Sequence, residues 1–349
     1  LPRHSPRNRC RHLRYRVKER ETSLLSLLGL GLVGIALISA TTGAYRIDPW
    51  QLPQILWKQS EGFAVLLHIR FPRVVMAGLV GAVLGLTGAT LQGLFRNPLA
   101  DPGLIGISAG AGLGAALWIV LGGTALLGLW GIPFAAFLMG GGVTWCLWLL
   151  AKTEGTISTI TLLLAGIAVN SLAGAGIGIM TFLADDQQLR SLTFWLLGSL
   201  TGGTWEMIGI AIPFMLIGAG LLARLAPALN ALSLGESEAY HLGVSTEIIK
   251  KRVILGSALA VGAAVSVSGG IGFIGLVVPH LIRLMGSPDH RLVLPGSALG
   301  GALLLIAADL LARTIVSPAE MPVGTITALM GTPFFLWLLW RFKRELSHA

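Results

Sequence analysis

Residues 74–95, VVMAGLVGAVLGLTGATLQGLF, contain no charged side chain over 22 consecutive positions. A helix rises about 1.5 Å per residue, so roughly 20 apolar residues are enough to cross the hydrocarbon core of a bilayer. Since a helix at a protein surface in water would carry a polar face, this stretch predicts a transmembrane helix. The whole chain has the same character, because 54% of its 349 residues are hydrophobic and only 12% are charged. Soluble domains carry about 25% charged residues.

Similar apolar runs recur along the chain and are separated by short polar segments. They predict ten transmembrane helices, and therefore an all-α polytopic membrane protein. The predicted spans are residues 23–44, 72–95, 103–122, 131–151, 157–183, 205–224, 253–269, 271–286, 292–312 and 323–340.

The net charge of +9 is concentrated near the N-terminus, where eight of the first twenty residues are arginine or lysine. Basic residues before a first span indicate a cytoplasmic N-terminus, and ten spans bring the C-terminal sequence RFKRE to the same side. We expect a basic cytoplasmic arm at 1–22, a transmembrane domain at 23–341 and a cytoplasmic tail at 342–349. Nucleic-acid binding is not expected, because no folded basic face follows the arm.

The sequence offers little that could carry out chemistry. None of the six lysines follows a glycine, so the phosphate-binding P-loop is missing and ATP hydrolysis is not expected of this chain. Two cysteines are too few for a metal site or a disulfide framework, and no resident cofactor is expected. A secondary transporter would need carboxylates in mid-span, and an intramembrane enzyme would need a catalytic set. Such carboxylates are nearly absent from the predicted spans, and no catalytic set is found within them.

Four segments follow one another in an order that is typical of one family. They are RFPR at 70–73 with the span that follows it, LGESEAYHLGV at 234–244, GGIGFIGLVVPHLIRLMG at 269–286, and PAEMPVGTITALMGTPFFLWLL at 318–339. Together they resemble the permease subunits of the type II ATP-binding-cassette importers for iron chelates, haem and cobalamin, the FecCD type. The resemblance covers about residues 30–341.

This resemblance implies a homodimer in the bacterial inner membrane, with a central pathway that opens alternately to each side. It also implies two separate ATPase subunits, which use ATP and magnesium, and a periplasmic binding protein that delivers the cargo. The cytoplasmic loop 225–252 is predicted to contain a short polar helix. Its residues alone fit a solvated loop and a docking surface equally well. The resemblance favours contact with the ATPase, through Gly235, Glu236, Ala239, Leu242 and Gly243.

On the opposite side, the resemblance implies that arginines pair with acidic residues of the binding protein. The matching positions are Arg70, Arg73 and Arg313. Arginine binds carboxylates in a bidentate manner, which suits docking, although a basic residue that anchors a span at the membrane edge is the simpler alternative. Asp309 lies four residues before Arg313, so the two are expected to pair on one helix face. Glu320, between two prolines, is expected at a turn into the last span.

The identity of the cargo is read from the segment after the fifth predicted span. There Arg190 precedes Phe194 and Trp195, a combination that could guide a flat ligand with carboxylates, such as haem. This segment is more similar to haem permeases than to siderophore or cobalamin permeases, which stay the alternatives. An ordinary membrane-edge anchor would have the same composition. His280 and His290 are expected to have structural or coupling roles rather than to ligate haem iron.

Overall fold

The computed structural model describes residues 6–43, 47, 48, 50, 52–58, 62–122, 127–153 and 156–347. Residues 1–5 of the predicted basic arm and residues 348 and 349 of the predicted tail lie outside the described residues.

Within the described residues, ten principal helices correspond in order to the ten predicted spans, so the prediction of an all-α polytopic fold is confirmed. The ten, numbered with the shorter helices in chain order, are α1 Pro6–Thr41, α3 Phe63–Phe95, α4 Ile107–Val120, α5 Gly131–Ala151, α6 Thr159–Leu183, α8 Trp205–Ala223, α11 Thr246–Ser268, α12 Ile274–Met285, α13 His290–Thr314 and α14 Val323–Ser347. The shorter helices are α2 Leu52–Lys58, α7 Asp186–Leu196, α9 Ala226–Leu232 and α10 Glu236–His241.

Six of the helices in the described part of the chain are long and apolar enough to cross a membrane by themselves. They lie within α1, α3, α5, α6, α8 and α13. Three more, α4, α12 and the apolar part of α14, are apolar but shorter. Helix α11 is long, but its first turns carry Lys250, Lys251 and Arg252, so its apolar part begins where the predicted span at 253 begins.

Helix α3, which contains the uncharged stretch, is the centre of the bundle and contacts α13, α12, α11 and α8. Its apolar window is 78% buried, against 17% for that of α6 at the periphery. Glycine permits the closest of these contacts. A Cβ atom added to Gly81 or Gly85 would collide with the backbone of α13 at Gly301 or Ser297. Small residues therefore bring the two helices together, as is usual where packing drives helix association in lipid.

Several boundaries differ from the predicted ones for local reasons. Helix α3 begins at Phe63 rather than at 72 and includes a π-helical turn at Leu66–Arg70. The predicted span 103–122 is broken at Gly106, whose φ of 74° separates a 3₁₀ turn at Pro102–Ile105 from α4. Residues 152–157 include a two-stranded hairpin, in which Lys152 pairs with Ile157. Helix α7, between the fifth and sixth spans, was not predicted as a separate helix.

The two ends of the bundle carry different polar features. One end, called here the arginine end, holds Arg70, Arg73, Arg313 and Glu320, together with α7. The other, called the loop end, holds α9, α10 and the first turn of α11. These two ends contain the candidate functional residues.

Candidate functional site

Arg73 is the centre of a buried ion-pair cluster at the arginine end. Its Nε donates to Asp309 at 3.0 and 3.1 Å, and its Nη2 lies 2.9 Å from the same carboxylate. Its Nη1 donates to Glu320 at 2.9 and 3.0 Å. The side chain of Asp309 is 1% exposed and that of Glu320 is 37% exposed. One guanidinium therefore joins α3, α13 and the turn before α14.

Arg313 connects the same carboxylate to the first helix. Its Nε lies 3.6 Å from Asp309 Oδ2, which confirms the predicted pairing on one face of α13. Its Nη1 donates to the Thr42 carbonyl at 2.8 Å, and its Nη2 donates to both oxygens of Ser39, with 2.6 Å to Oγ. These carbonyls lie at the end of α1, where helix carbonyls have no partner within the helix.

Arg70 also binds carbonyls at the end of α1. Its Nη1 donates to the carbonyls of Ala40 and Thr41 at 2.9 and 2.8 Å. The residue is 5% exposed. Arg70, Arg73 and Arg313 are thus brought together as the sequence suggested, but Arg70 and Arg73 are buried, Arg313 is partly buried, and all three already have partners within the chain. The role of the three arginines in docking stays a prediction.

Helix α7 carries the three residues that were predicted to lie along the cargo pathway, but it places them on two different faces. Its start is fixed by a capping box, in which Asp185 accepts from the Gln188 amide at 2.8 Å and the Gln188 side chain accepts from the Asp185 amide at 3.1 Å. Arg190 and Phe194 are exposed and lie one helical turn apart, so they share a face. Trp195 lies on another face, where it packs against the main core.

The segment after α7 contacts the ion-pair cluster. Thr201 Oγ1 donates to Glu320 at 3.3 Å, and the Gly198 carbonyl accepts from the Val323 amide at 3.0 Å. The exposed Arg190–Phe194 face and the Arg73 cluster are therefore parts of one end of the molecule. Sequence reasoning missed the Arg73 pairs, although two carboxylates near the ends of spans were a signal that buried cations lie close to them.

At the loop end, α10 forms as predicted within LGESEAYHLGV. Ala239 is fully buried against the bundle, whereas Leu242 is 62% exposed. Gly235 and Gly243 flank the helix with φ values of 131° and 79°, a region that favours glycine. Glu236 is 3.1 Å from Lys250 of α11, and this contact fixes the helix to the bundle. Of the five predicted ATPase-contact residues, Leu242 is thus exposed, Ala239 and Glu236 hold α10 against the bundle, and the two glycines flank the helix.

Two other apolar side chains at the loop end are exposed outside the membrane-spanning helices. Tyr240 is 73% exposed and Leu234 is 64% exposed. Together with Leu242 they give α10 and the residues beside it an exposed apolar surface outside the helices that could span a membrane. Such a surface is typical of a protein interaction site.

His290 is held by Asn230, whose Oδ1 accepts from the His290 amide and lies 2.9 Å from its Nδ1. Asn230 Nδ2 also donates to Asp289 at 2.6 Å. Burial raises the pKa of Asp289, but hydrogen bonds from the Arg291 amide and from Asn230 outweigh it, so this pKa lies below its ordinary value.

The ring of His280 packs edge-on against Phe334, with 6.0 Å between centroids. Among the described residues, no group of three His, Cys, Asp or Glu side chains could hold a metal ion.

Comparisons of the sequence and of the structure with known proteins point to the same class of protein. The FecCD transport family matches residues 31–341. The chain is 47% identical over 329 residues to the hemin transport system permease protein HmuU of Yersinia pestis, which covers 93% of this chain and 97% of that protein. It is 42% identical over 273 residues to the cobalamin import system permease protein BtuC of Halobacterium salinarum, with 78% and 72% covered. A solved structure described as an inward-facing metal-chelate type ABC transporter superposes with a TM-score of 0.80, at 34% identity, over 92% of this chain and 99% of that one.

The fold and these matches define the chain as the membrane-spanning permease subunit of an ATP-binding-cassette importer. It belongs to the FecCD transport family. Proteins of this family work with ATPase and binding-protein partners and are not themselves enzymes.

Proposed function

We propose that this chain is the permease through which haem crosses the inner membrane into the cytoplasm. The permease would act as a homodimer with alternating access, and both termini of each chain would lie in the cytoplasm. The observation that carries the haem assignment is the 47% identity to a hemin permease over almost the whole chain. A ferric-siderophore or cobalamin permease is the second candidate, supported by the 42% identity to a cobalamin permease.

The exposed face of α7 suits a porphyrin chemically. Arg190 offers a planar guanidinium for a propionate carboxylate, and Phe194, 46% exposed, offers an aromatic surface one turn away for the ring. A transporter has to release its cargo, so a site with one cation and one aromatic ring fits better than tight ligation of the iron. Trp195 is assigned to packing of α7 rather than to contact with the cargo.

Replacing Arg190 by alanine should lower haem uptake about tenfold at subsaturating haem, because one charge-assisted hydrogen bond contributes roughly 1.5–3 kcal/mol. The measurement is the initial rate of ATP-dependent haem uptake into proteoliposomes over a range of haem concentrations. Gln187→Ala is the matched control, because Gln187 is exposed on the same helix and has no charge. An equal loss in both variants, or no loss in Arg190→Ala, would remove Arg190 from the pathway.

Docking of the binding protein is proposed at the arginine end, through an exchange of partners at Arg73. Arg73 is held by the buried Asp309 and by the more exposed Glu320. An incoming carboxylate could replace Glu320 while Asp309 continues to neutralise the buried charge. This would explain how a buried arginine serves a reversible contact, since Arg73 stays paired throughout and the displaced Glu320 is exposed enough to be hydrated.

Coupling to the ATPase is proposed at the loop end, where Tyr240, Leu242 and Leu234 are exposed. ATP and magnesium would bind to the separate ATPase subunit. Movement of that subunit would reach the bundle through Ala239, which packs into the core, and through the Glu236–Lys250 ion pair.

A further inference from the structure

A groove of about 390 Å³ runs along the outside of the bundle between α5 and α11. Its walls are almost entirely apolar and include Phe137, Gly141, Trp145 and Leu255. It ends at Lys251, beyond which the chain leaves the apolar part of α11. The mouth of the groove lies toward the loop end, but the groove includes none of the residues that the proposed function uses.

A second lysine lies at the same mouth of the groove. Lys152 follows directly after α5, and its Nζ is 5.6 Å from the centre of the Trp148 ring, which also lines the groove. The hairpin that begins at Lys152 contacts α11. Both lysine side chains are exposed, in contrast to the neighbouring Lys250, which is buried and paired with Glu236 and Glu247.

The dimensions of the groove match part of one lipid leaflet. The lining residues of α11 run from Lys251 to Leu259, which is about 12 Å of helix at 1.5 Å per residue. One leaflet has a hydrocarbon half-thickness of about 15 Å. Trp145 and Trp148 pack at a tilt of 37° with 5.0 Å between centroids, next to Lys152, and tryptophan is enriched at the level of lipid headgroups.

We propose that this groove is a binding site for an anionic phospholipid. One acyl chain would lie against Phe137, Gly141 and Leu255, and the headgroup phosphate would lie between Lys152 and Lys251. The two cations and the apolar channel are complementary to a negatively charged headgroup on a hydrocarbon chain. A zwitterionic lipid would fill the same channel but would gain less from the lysines.

The test is native mass spectrometry of the full-length permease in detergent, titrated with phosphatidylglycerol or with phosphatidylcholine of the same acyl chains. We expect phosphatidylglycerol to bind about tenfold more tightly or better, since each lysine contributes to attraction of an anionic headgroup. Lys152→Gln with Lys251→Gln should remove this preference. Arg291→Gln is the matched control, because Arg291 is an exposed basic residue at the same end but outside the groove.

A second variant tests the acyl-chain channel independently of charge. Gly141→Leu should fill the groove without disturbing the fold, because a Cβ at Gly141 would meet no atom within 4 Å. It should weaken binding of both lipids. Equal affinity for the two lipids in the unchanged protein, or no effect of the double lysine variant, would overturn the proposal. It would also be overturned if the variants changed dimer or ATPase assembly and left lipid binding unaltered, because the groove would then be a protein interface.

Discussion

Replacing Asp309 by asparagine should destabilise the folded permease by about 3–5 kcal/mol, the usual cost of removing one partner from a buried ion pair. Asparagine has nearly the same shape and can still accept a hydrogen bond, so the change isolates the charge. Arg73 would then keep only its ion pair with Glu320, whose side chain is 37% exposed, and Arg313 would lose its ion pair with Asp309. The measurement is the thermal unfolding midpoint of the detergent-purified permease, which should fall by several degrees.

Glu320→Gln is the matched control for this prediction. It removes the same charge from the same guanidinium but leaves Asp309 in place, so the unfolding midpoint should change little. The variant also tests partner exchange, because a binding protein with acidic docking residues should bind it at least as tightly as the unchanged permease. An equal loss of stability in the two variants would show that burial of Asp309 is not what makes it important. Weaker docking to Glu320→Gln would argue against exchange at Arg73.

The second large effect is expected at the loop end. Tyr240→Asp combined with Leu242→Asp should abolish stable association with the ATPase subunit, because central apolar side chains dominate the energy of most interfaces. Both side chains are exposed, at 73% and 62%, so the double variant should fold normally. Co-purification of the ATPase with the permease measures the association directly.

Leu121→Asp provides the control for this double variant. Leu121 is 68% exposed and lies at the end of α4, near α7 and far from the loop end. The same substitution at this position should leave the ATPase bound. Retention of the ATPase by the Tyr240 and Leu242 variant would place the ATPase contact elsewhere on the loop end.

Hydropathy was sufficient to predict the ten-helix fold, because a transmembrane span needs only length and low charge. Boundaries were less accurate where backbone geometry decides them. The φ of 74° at Gly106 breaks a run that is apolar throughout, and the π-helical turn at Leu66–Arg70 extends α3 beyond the apolar stretch. Neither change alters the hydropathy pattern, so neither could be read from it.

The sequence predicted which residues belong to the candidate sites better than it predicted the contacts that those residues make. The Asp309–Arg313 pair follows from helical spacing and is confirmed. The contact of Arg73 with Asp309 joins residues that are 236 positions apart, so no local pattern could reveal it. Trp195 was grouped with Arg190 and Phe194 because they are close in sequence. A rotation of 100° per residue, however, places a residue five positions from Arg190 on a different face of α7.

Uptake into proteoliposomes tests the central claim most directly. The vesicles would contain this permease with its ATPase and its binding protein, and haem, a ferric siderophore and cobalamin would be offered in parallel with and without ATP. We predict ATP-dependent accumulation of haem and little accumulation of the other two. Accumulation of the siderophore or of cobalamin in place of haem would contradict the cargo assignment. Accumulation that does not depend on ATP would contradict the importer mechanism itself.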